Sequence, residues 1–367
     1  MKVGIVGGGQ LARMLILAGY PLDLRFQVLD PAADACAGQV APLLQGAYDD
    51  EARLKQLADW ADVVTFDFEN VPAAAALALA RQVTVYPPPT ALAMAQDRVA
   101  EKTLFRELGI PTPPFAPVSS LAELREAVAW LKLPAVLKTR RLGYDGKGQR
   151  LLRQPEDVEP AWQALGTAPL LLESFVPFAW EASVLAVRGH DGVSAFYPLV
   201  KNQHRDGILR LSRAPRAAPE LEREGWDYAG RLLDRLHYTG VLAVEFFVQD
   251  GHLIANEMAP RVHNSGHWTI EGAVTSQFEN HLRAILGLPL GSTAAIGHSA
   301  MLNCLGTLPE RAVALAVPGT HYHAYGKAQR PGRKVGHLTV HSDDLQTVSA
   351  GVQRLLPLVG FAPEEFG

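Results

Sequence analysis

The sequence contains little cysteine, no long apolar run and no excess of positive charge. Its only cysteines among 367 residues are Cys36 and Cys304, which are far apart and in no CxxC spacing. That usage argues against a disulfide scaffold and favours a reducing compartment. The longest apolar stretch, Val71 to Ala80, is well short of the ~20 residues of a membrane span. The net charge of -4 gives no general attraction to nucleic acid or anionic lipid, so we expect neither as a partner.

The remaining composition is that of an ordinary globular protein. Hydrophobic residues make up 48% of the chain and charged residues 20%, which excludes disordered and fibrous classes. Met1-Lys2 leads directly into the apolar run Val3 to Val6, without the pattern of a signal peptide. We therefore expect a cytoplasmic protein.

The pattern of elements predicts an α/β protein of three units. Short apolar runs at Val3 to Val6, Gln27 to Leu29 and Val63 to Phe66, with a helix from Leu11 to Ala18, indicate a Rossmann-like βαβ opening. Three prolines at 87–89 break the chain before a helical stretch at 95–108. The predicted bounds are 1–97, 98–290 and 291–367, and the last unit is small, mixed and ends in a helix.

The first glycine loop follows a strand and precedes a helix. Gly7-Gly8-Gly9-Gln10-Leu11-Ala12 fits G-x-G-x-x-G/A, in which backbone N–H groups meet an anion. Asp30 closes the second strand, where a nicotinamide-binding site needs an acidic residue. A nicotinamide-dependent oxidoreductase is therefore one hypothesis, and a plain tight turn is another.

Two carboxylates lie on a predicted hairpin whose strands are joined by residues 249–251. A three-residue loop would place Glu245 opposite Ala255, with Glu257 diagonally adjacent on the same face. A two-residue loop would put the glutamates on opposite faces. Their neighbours are so apolar that the carboxylates need neutralisation, which Mg²⁺ bridging to phosphate oxygens supplies. Asn256 adds a neutral oxygen.

Further phosphate-binding chemistry lies earlier in the chain. Lys138 ends a predicted strand, where its ammonium can reach a nucleotide phosphate. The stretch GYDGKGQ at 143–149 lacks the Walker pattern and is interpreted as a flap over the triphosphate. Glu173 to Val176 follow a buried run and offer backbone groups to an adenine, and Glu181 is placed for ribose hydroxyls. A plain turn and a solvated Glu181 are the alternatives.

Together these residues resemble the nucleotide site of the ATP-grasp ligases. Within that superfamily the chain is similar to the 5-(carboxyamino)imidazole ribonucleotide synthetase family. The segments that carry this resemblance are GGGQLARM at 7–14, TFDFENV at 65–71, NEMAPRVHNSGHWTIEG at 256–272, TSQFENHLRAILGLPLG at 275–291 and RPGRKVGH at 330–337. The family departs from the chain at Asp67, where it usually has Glu, and at Val262, where it usually has Pro.

The resemblance implies an ATP-grasp domain at 98–290 between a preceding Rossmann-like domain and a small C-terminal domain. It also implies a reaction in which ATP phosphorylates bicarbonate to carboxyphosphate, and the exocyclic amine of aminoimidazole ribonucleotide captures the carboxyl group. The cofactor is Mg²⁺, with Mn²⁺ as the alternative, ATP is a co-substrate, biotin is not used, and a homodimer is expected. The product serves purine biosynthesis.

The resemblance also implies roles for individual residues. The expected ATP contacts are Arg98, Lys138, Gly143, Tyr144, Asp145, Gly146, Lys147, Gly148, Gln149, Glu173, Ser174, Phe175, Val176, Glu181, His204, Asn256 and Glu257. Glu245 and Glu257 are expected to hold magnesium. The ribonucleotide is expected at Gln10, Leu11, Glu69, Arg333 and Lys334. The expected catalytic residues are Arg261, His263 and Lys327.

Rival functions remain at this point. A formate-dependent glycinamide ribonucleotide transformylase would share the nucleotide site, but RVHNSGHW and GRKVGH argue against it. An oxidoreductase leaves Glu245, Glu257 and GYDGKGQ unexplained. A non-catalytic nucleotide-binding module would not require the metal pair, and the chain is too short for a biotin-dependent carboxylase.

Overall fold

A computed structural model of the protein describes residues 1–143 and 146–361. Tyr144 and Asp145, two of the expected ATP contacts, lie outside the described residues. Within them the chain forms three sheets, one parallel and two antiparallel, with helices packed on their faces. No helix in this part of the chain has the length and apolarity to cross a bilayer.

The first sheet confirms the βαβ opening. Its strands are parallel and lie in the order β3-β2-β1-β4-β5. The elements are β1 (Lys2–Val6), α1 (Gln10–Gly19), β2 (Arg25–Asp30), β3 (Leu43–Gln45), α2 (Glu51–Trp60), β4 (Val63–Phe66), α3 (Ala73–Leu79), β5 (Thr84–Val85) and α4 (Pro89–Ala95). The strand order reverses between β1 and β4, and ligands of parallel sheets bind at such a switch point, beyond the carboxyl ends of the strands.

The second sheet is antiparallel, in the order β6-β9-β7-β8. Its elements are α5 (Arg98–Glu107), β6 (Phe115–Val118), α6 (Leu121–Leu131), β7 (Ala135–Thr139), β8 (Gln149–Leu152), α7 (Val158–Leu165) and β9 (Leu170–Ser174). The continuous helix expected at 95–108 is wrong, because Asp97 accepts hydrogen bonds from the backbone of Val99 and Ala100 and starts α5 as its N-cap.

The third sheet is the largest, in the order β15-β14-β10-β12-β13-β16-β18-β17, with β11 beside β10. Its elements are β10 (Trp180–Arg188), β11 (Ser194–Phe196), β12 (Val200–Arg205), β13 (Ile208–Ala214), α8 (Pro219–Arg235), β14 (Gly240–Gln249), β15 (His252–Ala259), α9 (Thr269–Gly272), α10 (Gln277–Ile285), β16 (His298–Leu305), α11 (Arg311–Leu315), β17 (Thr320–Ala324), β18 (Lys334–Ser342) and α12 (Leu345–Leu355). Because β13 pairs with β16, the C-terminal strands extend the sheet of the middle region. The domain bounds at 97 and 290 stay a prediction.

The hairpin of β14 and β15 has a different register from the expected one. Its loop is the two residues Asp250 and Gly251, both at positive φ (52° and 80°), and Gln249 pairs with His252. Such a loop alone would send the two glutamates to opposite faces. A β-bulge next to Phe246 inserts one extra residue in β15, so Glu245 pairs directly with Glu257. The predicted neighbourhood of the two carboxylates is correct, but the three-residue loop is wrong.

Candidate active site

A cleft of about 400 Å³ opens where the three sheets meet. It brings together most of the residues that the sequence singled out. Those lining it are Gln10, Leu11, Glu69, Arg98, Lys138, Gly143, Gly146, Lys147, Gln149, Glu173, Ser174, Phe175, Val176, Glu181, His204, Glu245, Asn256, Glu257, Arg261, His263 and Lys334. The lining of this cleft does not include Gly148, Lys327 or Arg333. The three regions of the chain therefore contribute to one site.

The first glycine loop is already occupied by carboxylates of the protein itself. Asp30 Oδ2 accepts the Gly8 N–H at 2.7 Å and the Tyr48 hydroxyl at 2.9 Å. Asp67 Oδ2 accepts the Ala12 N–H at 3.3 Å, at the start of α1. Asp30 is thus not available to a nicotinamide ribose, and the negative charge beside α1 disfavours a phosphate there. The oxidoreductase hypothesis loses its binding site.

Asp67 also explains why the loop begins with glycine. Gly7 has φ of +101°, and a Cβ there would lie 2.0 Å from Asp67 Oδ1. Burial raises the pKa of Asp67 to about 6, more than the Ala12 N–H lowers it. The shorter arm of Asp, where the family usually has Glu, keeps the carboxylate against this backbone.

The two glutamates on the hairpin differ in their ionisation. Burial raises the pKa of Glu245 to about 7. For Glu257 burial acts in the same direction, but the charge and hydrogen bond of Arg98 outweigh it and lower the pKa to about 2. Arg98 Nη1 lies 2.8 Å from Glu257 Oε2, and His263 Nε2 lies 3.2 Å from Glu245 Oε1. Glu257 is therefore paired with a guanidinium, whereas the imidazole of His263 lies beside Glu245.

The acidic centre formed by Glu245 and Glu257 fits a hard cation that also binds phosphate. No group of three or more His, Cys, Asp or Glu side chains in residues 1–143 and 146–361 is arranged to hold a metal alone. Two adjacent carboxylates are nevertheless the protein share of a typical Mg²⁺ site, in which substrate phosphates and water supply the other oxygens. Asn256 Oδ1 is buried in the cleft wall without a hydrogen-bond partner and is a third hard oxygen.

A buried group of charged side chains lies at the part of the cleft that Lys138 lines. Glu173 is 2.9 Å from Lys138 Nζ and 3.1 Å from Lys102 Nζ. Burial opposes its ionisation, but Lys102 and Lys138 lower its pKa to about 2. The Glu173 side chain therefore fixes Lys138, and only its backbone remains for the adenine contact that the sequence suggested.

Glu101 and Lys102 are the residues that the sequence reasoning missed. Lys102 Nζ donates to the backbone carbonyl of Asn256 at 3.0 Å, and Glu101 Oε1 accepts the Met258 N–H at 2.7 Å. Both side chains are almost completely buried. The feature of the sequence that could have identified them is their spacing. Glu101 and Lys102 are at i+3 and i+4 from Arg98, and such positions share one face of a helix. That face of α5 holds the strand that carries Glu257.

Glu101→Gln is expected to raise the melting temperature by about 5 °C at pH 8 and by less than about 2 °C at pH 5. Burial raises the pKa of Glu101 to about 8, with the Glu257 charge adding to the effect. Between its unfolded pKa of 4.5 and about 8, the folded protein keeps a proton that the unfolded chain has lost, so the unsubstituted protein loses stability as pH rises. Gln stays neutral and keeps an oxygen for Met258.

Thermal unfolding at pH 8 and at pH 5 measures the gain in melting temperature of Glu101→Gln. The control is Glu126→Gln, at an exposed position on α6. An equal gain in melting temperature at the two pH values would contradict the prediction.

Glu181 and His204 form a pair in the lining of the cleft. His204 Nδ1 is 2.8 Å from Glu181 Oε2. Burial lowers the pKa of His204, but the hydrogen bond to Glu181 and the charge of Glu245 outweigh it, so the pKa is raised. Because Glu245 and Glu257 both contribute to this rise in pKa, His204 lies near the same acidic centre as Arg98.

Arg261 and His263 also lie near the carboxylate pair and line the same cleft. Arg261 forms an ion pair with Glu69 and donates to the Val262 carbonyl at 3.0 Å. His263 Nδ1 accepts the Ser265 N–H at 3.2 Å, which leaves the proton on Nε2, beside Glu245. Burial, reinforced by Arg261, lowers the pKa of His263 well below its usual value. A neutral imidazole and a guanidinium thus line one wall.

The C-terminal cations are not equivalent. Lys334 lines the cleft. Lys327 donates to Gln10 Oε1 across the junction between the first and last regions. Arg333 instead donates to the Ala328 carbonyl at 3.3 Å and is not among the cleft residues. Lys327 therefore lies next to the site through Gln10, and the role of Arg333 stays a prediction.

Three family models match the chain in the order of its three regions. They are the ribonucleotide synthetase preATP-grasp domain at residues 1–96, the ATP-grasp domain at 103–278 and the phosphoribosylaminoimidazole carboxylase C-terminal domain at 299–351. The predicted fold class is confirmed by these matches.

Similar proteins span the whole chain. The N5-carboxyaminoimidazole ribonucleotide synthase of Pseudomonas aeruginosa is 56% identical over 359 residues, which cover 98% of this chain and 99% of that protein. The N5-carboxyaminoimidazole ribonucleotide synthetase of Thermus thermophilus has a TM-score of 0.95 at 55% identity and covers 98% of this chain and 99% of its own. The N5-carboxyaminoimidazole synthase of Aspergillus clavatus, solved with ADP and 5-aminoimidazole ribonucleotide, has a TM-score of 0.90 at 32% identity over 98% of both chains.

Proposed function

The chain belongs to the N5-carboxyaminoimidazole ribonucleotide synthase family of the ATP-grasp superfamily, and from that premise we propose how its own residues carry out the reaction. It is an ATP-dependent carbon–nitrogen ligase that converts aminoimidazole ribonucleotide into N5-carboxyaminoimidazole ribonucleotide for purine biosynthesis. Bicarbonate is the proposed third substrate and carboxyphosphate the proposed intermediate. We further propose that the protein is a cytoplasmic homodimer. Its proposed domains are 1–97, 98–290 and 291–367, and the ranges of the three family models support these bounds.

The proposed chemistry has two steps. A bicarbonate oxygen attacks the γ-phosphorus of ATP, ADP leaves, and carboxyphosphate forms. The exocyclic amine of the ribonucleotide then forms a bond to the carboxyl carbon, either in carboxyphosphate or in carbon dioxide released from it. Phosphate leaves, and the amine nitrogen loses one proton. The supporting observation is that one cleft brings the Glu245–Glu257 pair together with four basic side chains. Arg98 lies 2.8 Å from Glu257, His263 lies 3.2 Å from Glu245, and Lys138 and Arg261 also line the cleft.

ATP is proposed to bind on the side of Lys138 and Glu181. Lys138, fixed by Glu173, meets a phosphate as a point charge, and residues 143–149 cover the triphosphate. The backbone of Glu173 to Val176 takes the adenine edge, Glu181 takes ribose hydroxyls, and His204 adds charge. Gly148, although outside the lining of the cleft, belongs to the same proposed flap.

Magnesium, or manganese in its place, is proposed to be held by Glu245 and Glu257, with Asn256 as a neutral oxygen. When bound, the ion supplies positive charge against phosphate oxygens and neutralises two carboxylates that are costly to bury together. Arg98, which pairs with Glu257 here, is then free to donate to a phosphate.

Arg261 and His263 are proposed to hold bicarbonate and the acyl phosphate. The guanidinium presents parallel donors to a planar carboxylate-like group, a geometry that lysine lacks. The neutral His263 donates from Nε2, and its low pKa means that it adds no second positive charge to the wall. Carboxyphosphate must also be kept from water, which the flap over the cleft accomplishes.

The ribonucleotide is proposed to bind between the first and last regions. Its phosphate meets Lys327, Arg333 and Lys334 rather than the first glycine loop, because Asp30 and Asp67 make that loop electrically unfavourable for an anion. Gln10 and Leu11 contact the base or ribose, and Glu69 the ribose or amine.

Release of ADP from ATP, magnesium and bicarbonate tests this function. We expect strong stimulation by aminoimidazole ribonucleotide and none by formate plus glycinamide ribonucleotide. Turnover with the second pair alone would instead support a transformylase. No ADP release with either pair would contradict the ligase assignment.

A further inference from the structure

A short segment after β17 joins the last region of the chain to the first. It consists of Tyr325, Gly326 and Lys327, which we call the clasp. All three residues make polar contacts with residues distant in the sequence or on a neighbouring strand, although the segment belongs to neither a helix nor a strand. The family resemblance assigned a role only to Lys327.

Tyr325 anchors the clasp in the hydrophobic core that the first region shares with the third sheet. Its ring is 2% exposed, and its hydroxyl is 2.7 Å from Nδ1 of the fully buried His337. His337 is held between two other imidazoles, with ring centroids 4.3 Å from His323 and 4.8 Å from His267. His323 Nε2 is in turn 2.6 Å from Glu271 Oε1. The imidazole that meets Tyr325 therefore has little freedom to rotate.

Gly326 attaches the clasp to the first region. Its carbonyl accepts from Gln39 Nε2 at 2.7 Å, and the two residues are 287 positions apart in the chain. Gly326 has φ of +71°, and a Cβ there would lie 2.1 Å from Gln39 Oε1. The backbone of the clasp thus lies directly on the Gln39 side chain, a side chain at this position would displace the Gln39 amide, and the positive φ favours glycine.

Lys327 is the functional end of the clasp. Its Nζ donates to Gln10 Oε1, a residue that lines the cleft, and lies 5.8 Å from the centre of the Tyr325 ring. An ammonium at that distance from an aromatic face is attracted by the ring. Tyr325 therefore contacts His337 through its hydroxyl and attracts the Lys327 ammonium through its ring.

We propose that Tyr325, His337 and Gln39 are positioning residues for the ribonucleotide, which hold Lys327 against Gln10 so that its ammonium meets that substrate. The proposal rests on the function proposed above for Lys327. Because the clasp contacts Gln10, Gln39 and His337 and none of the residues proposed for ATP, we expect its loss to change the binding of aminoimidazole ribonucleotide and to leave ATP binding unchanged.

Steady-state kinetics with each substrate varied in turn tests the proposal. Tyr325→Phe removes one hydroxyl and keeps the ring, and we expect the KM for aminoimidazole ribonucleotide to rise about fivefold, the effect of one neutral hydrogen bond, with the KM for ATP within about twofold. Gln39→Leu is expected to act in the same direction from the other side of the clasp. The controls are Tyr197→Phe and Tyr322→Phe, which lose hydroxyl bonds to the carbonyls of Thr275 and Pro309.

A double-mutant cycle separates this inference from the role of Lys327. Lys327→Met alone is expected to raise the KM for the ribonucleotide more than about a hundredfold, and adding Tyr325→Phe to it is expected to change nothing further. If Lys327→Met raises the KM for the ribonucleotide but Tyr325→Phe and Gln39→Leu behave like the controls, the positioning role of the clasp is wrong. The function proposed for Lys327 then still stands. Additive effects in the double variant also overturn the positioning role of the clasp. If Lys327→Met has no effect, the function proposed for Lys327 is wrong.

Discussion

Glu257→Gln is expected to lower turnover by about a thousandfold or more, because metal-assisted charge neutralisation supplies several kcal/mol of transition-state stabilisation. Glu257 is one of two carboxylates that face each other across β14 and β15, and it is the more strongly ionised of the pair. The amide keeps the volume of the side chain and can still accept from Arg98. We therefore expect the variant to fold. It loses activity because the negative charge that a divalent cation needs is gone.

The matched control for this variant is Glu224→Gln. Glu224 contacts the same hairpin, where its Oε2 accepts the Leu253 N–H at 3.3 Å, but it does so from α8 and is not among the residues that line the cleft. We expect its activity to stay near that of the unsubstituted protein. Both variants are compared by ADP release and by thermal unfolding. Normal turnover in folded Glu257→Gln would show that the magnesium assignment is wrong.

The register of this hairpin shows where sequence reasoning stops. The turn residues Asp250 and Gly251 are typical of a two-residue loop, and that local rule alone would separate the glutamates. The bulge at Asn256 corrects the separation, and its support comes from α5. Lys102 holds the Asn256 carbonyl and Glu101 holds the Met258 N–H, from positions more than 150 residues away. A local pattern contains no information about such partners.

The first glycine loop gives the opposite lesson. The strand, the loop and the helix were predictable because apolar periodicity and glycine spacing are local properties. The ligand was not, because the same motif serves different anions. Its use here depends on Asp67 and Asp30, which the parallel order of β2, β1 and β4 brings to the loop. Pairing of strands, not the motif, decides that carboxylates rather than a cofactor phosphate lie at this helix.

Buried charges are a third case. Lys102 and Glu173 lie in sequence contexts that also suit exposed residues, and such residues are almost never fully buried unless they are paired. Their pairing requires α5 to pack against β9, which no local pattern reveals. The residues that share the cleft were nevertheless predictable through family motifs, because those motifs record the result of tertiary packing, and their contacts with ATP stay a prediction.

Arg261→Met is expected to lower turnover by about a hundredfold while the KM for ATP changes by less than about threefold, since a charge-assisted bidentate contact that strengthens in the transition state is lost. Arg261 lines the cleft, forms an ion pair with Glu69 and donates to the Val262 carbonyl. Its proposed partner is bicarbonate or the acyl phosphate, neither of which touches the adenine side. The control is Arg283→Met, which removes a half-exposed guanidinium paired with Glu279 on α10 and is expected to keep full activity.

The substitution also distinguishes between two locations for Arg261. If the guanidinium binds the acyl phosphate, Arg261→Met lowers kcat and keeps the KM for ATP, because the interaction is made mainly after the nucleotide has bound. If it binds the triphosphate, the KM for ATP rises while kcat falls little. Arg261→Lys restores the charge without the parallel donors and is expected to recover only part of the rate. A full recovery by lysine would show that charge alone is needed at this wall, and a raised KM for ATP would move Arg261 to the nucleotide side of the cleft.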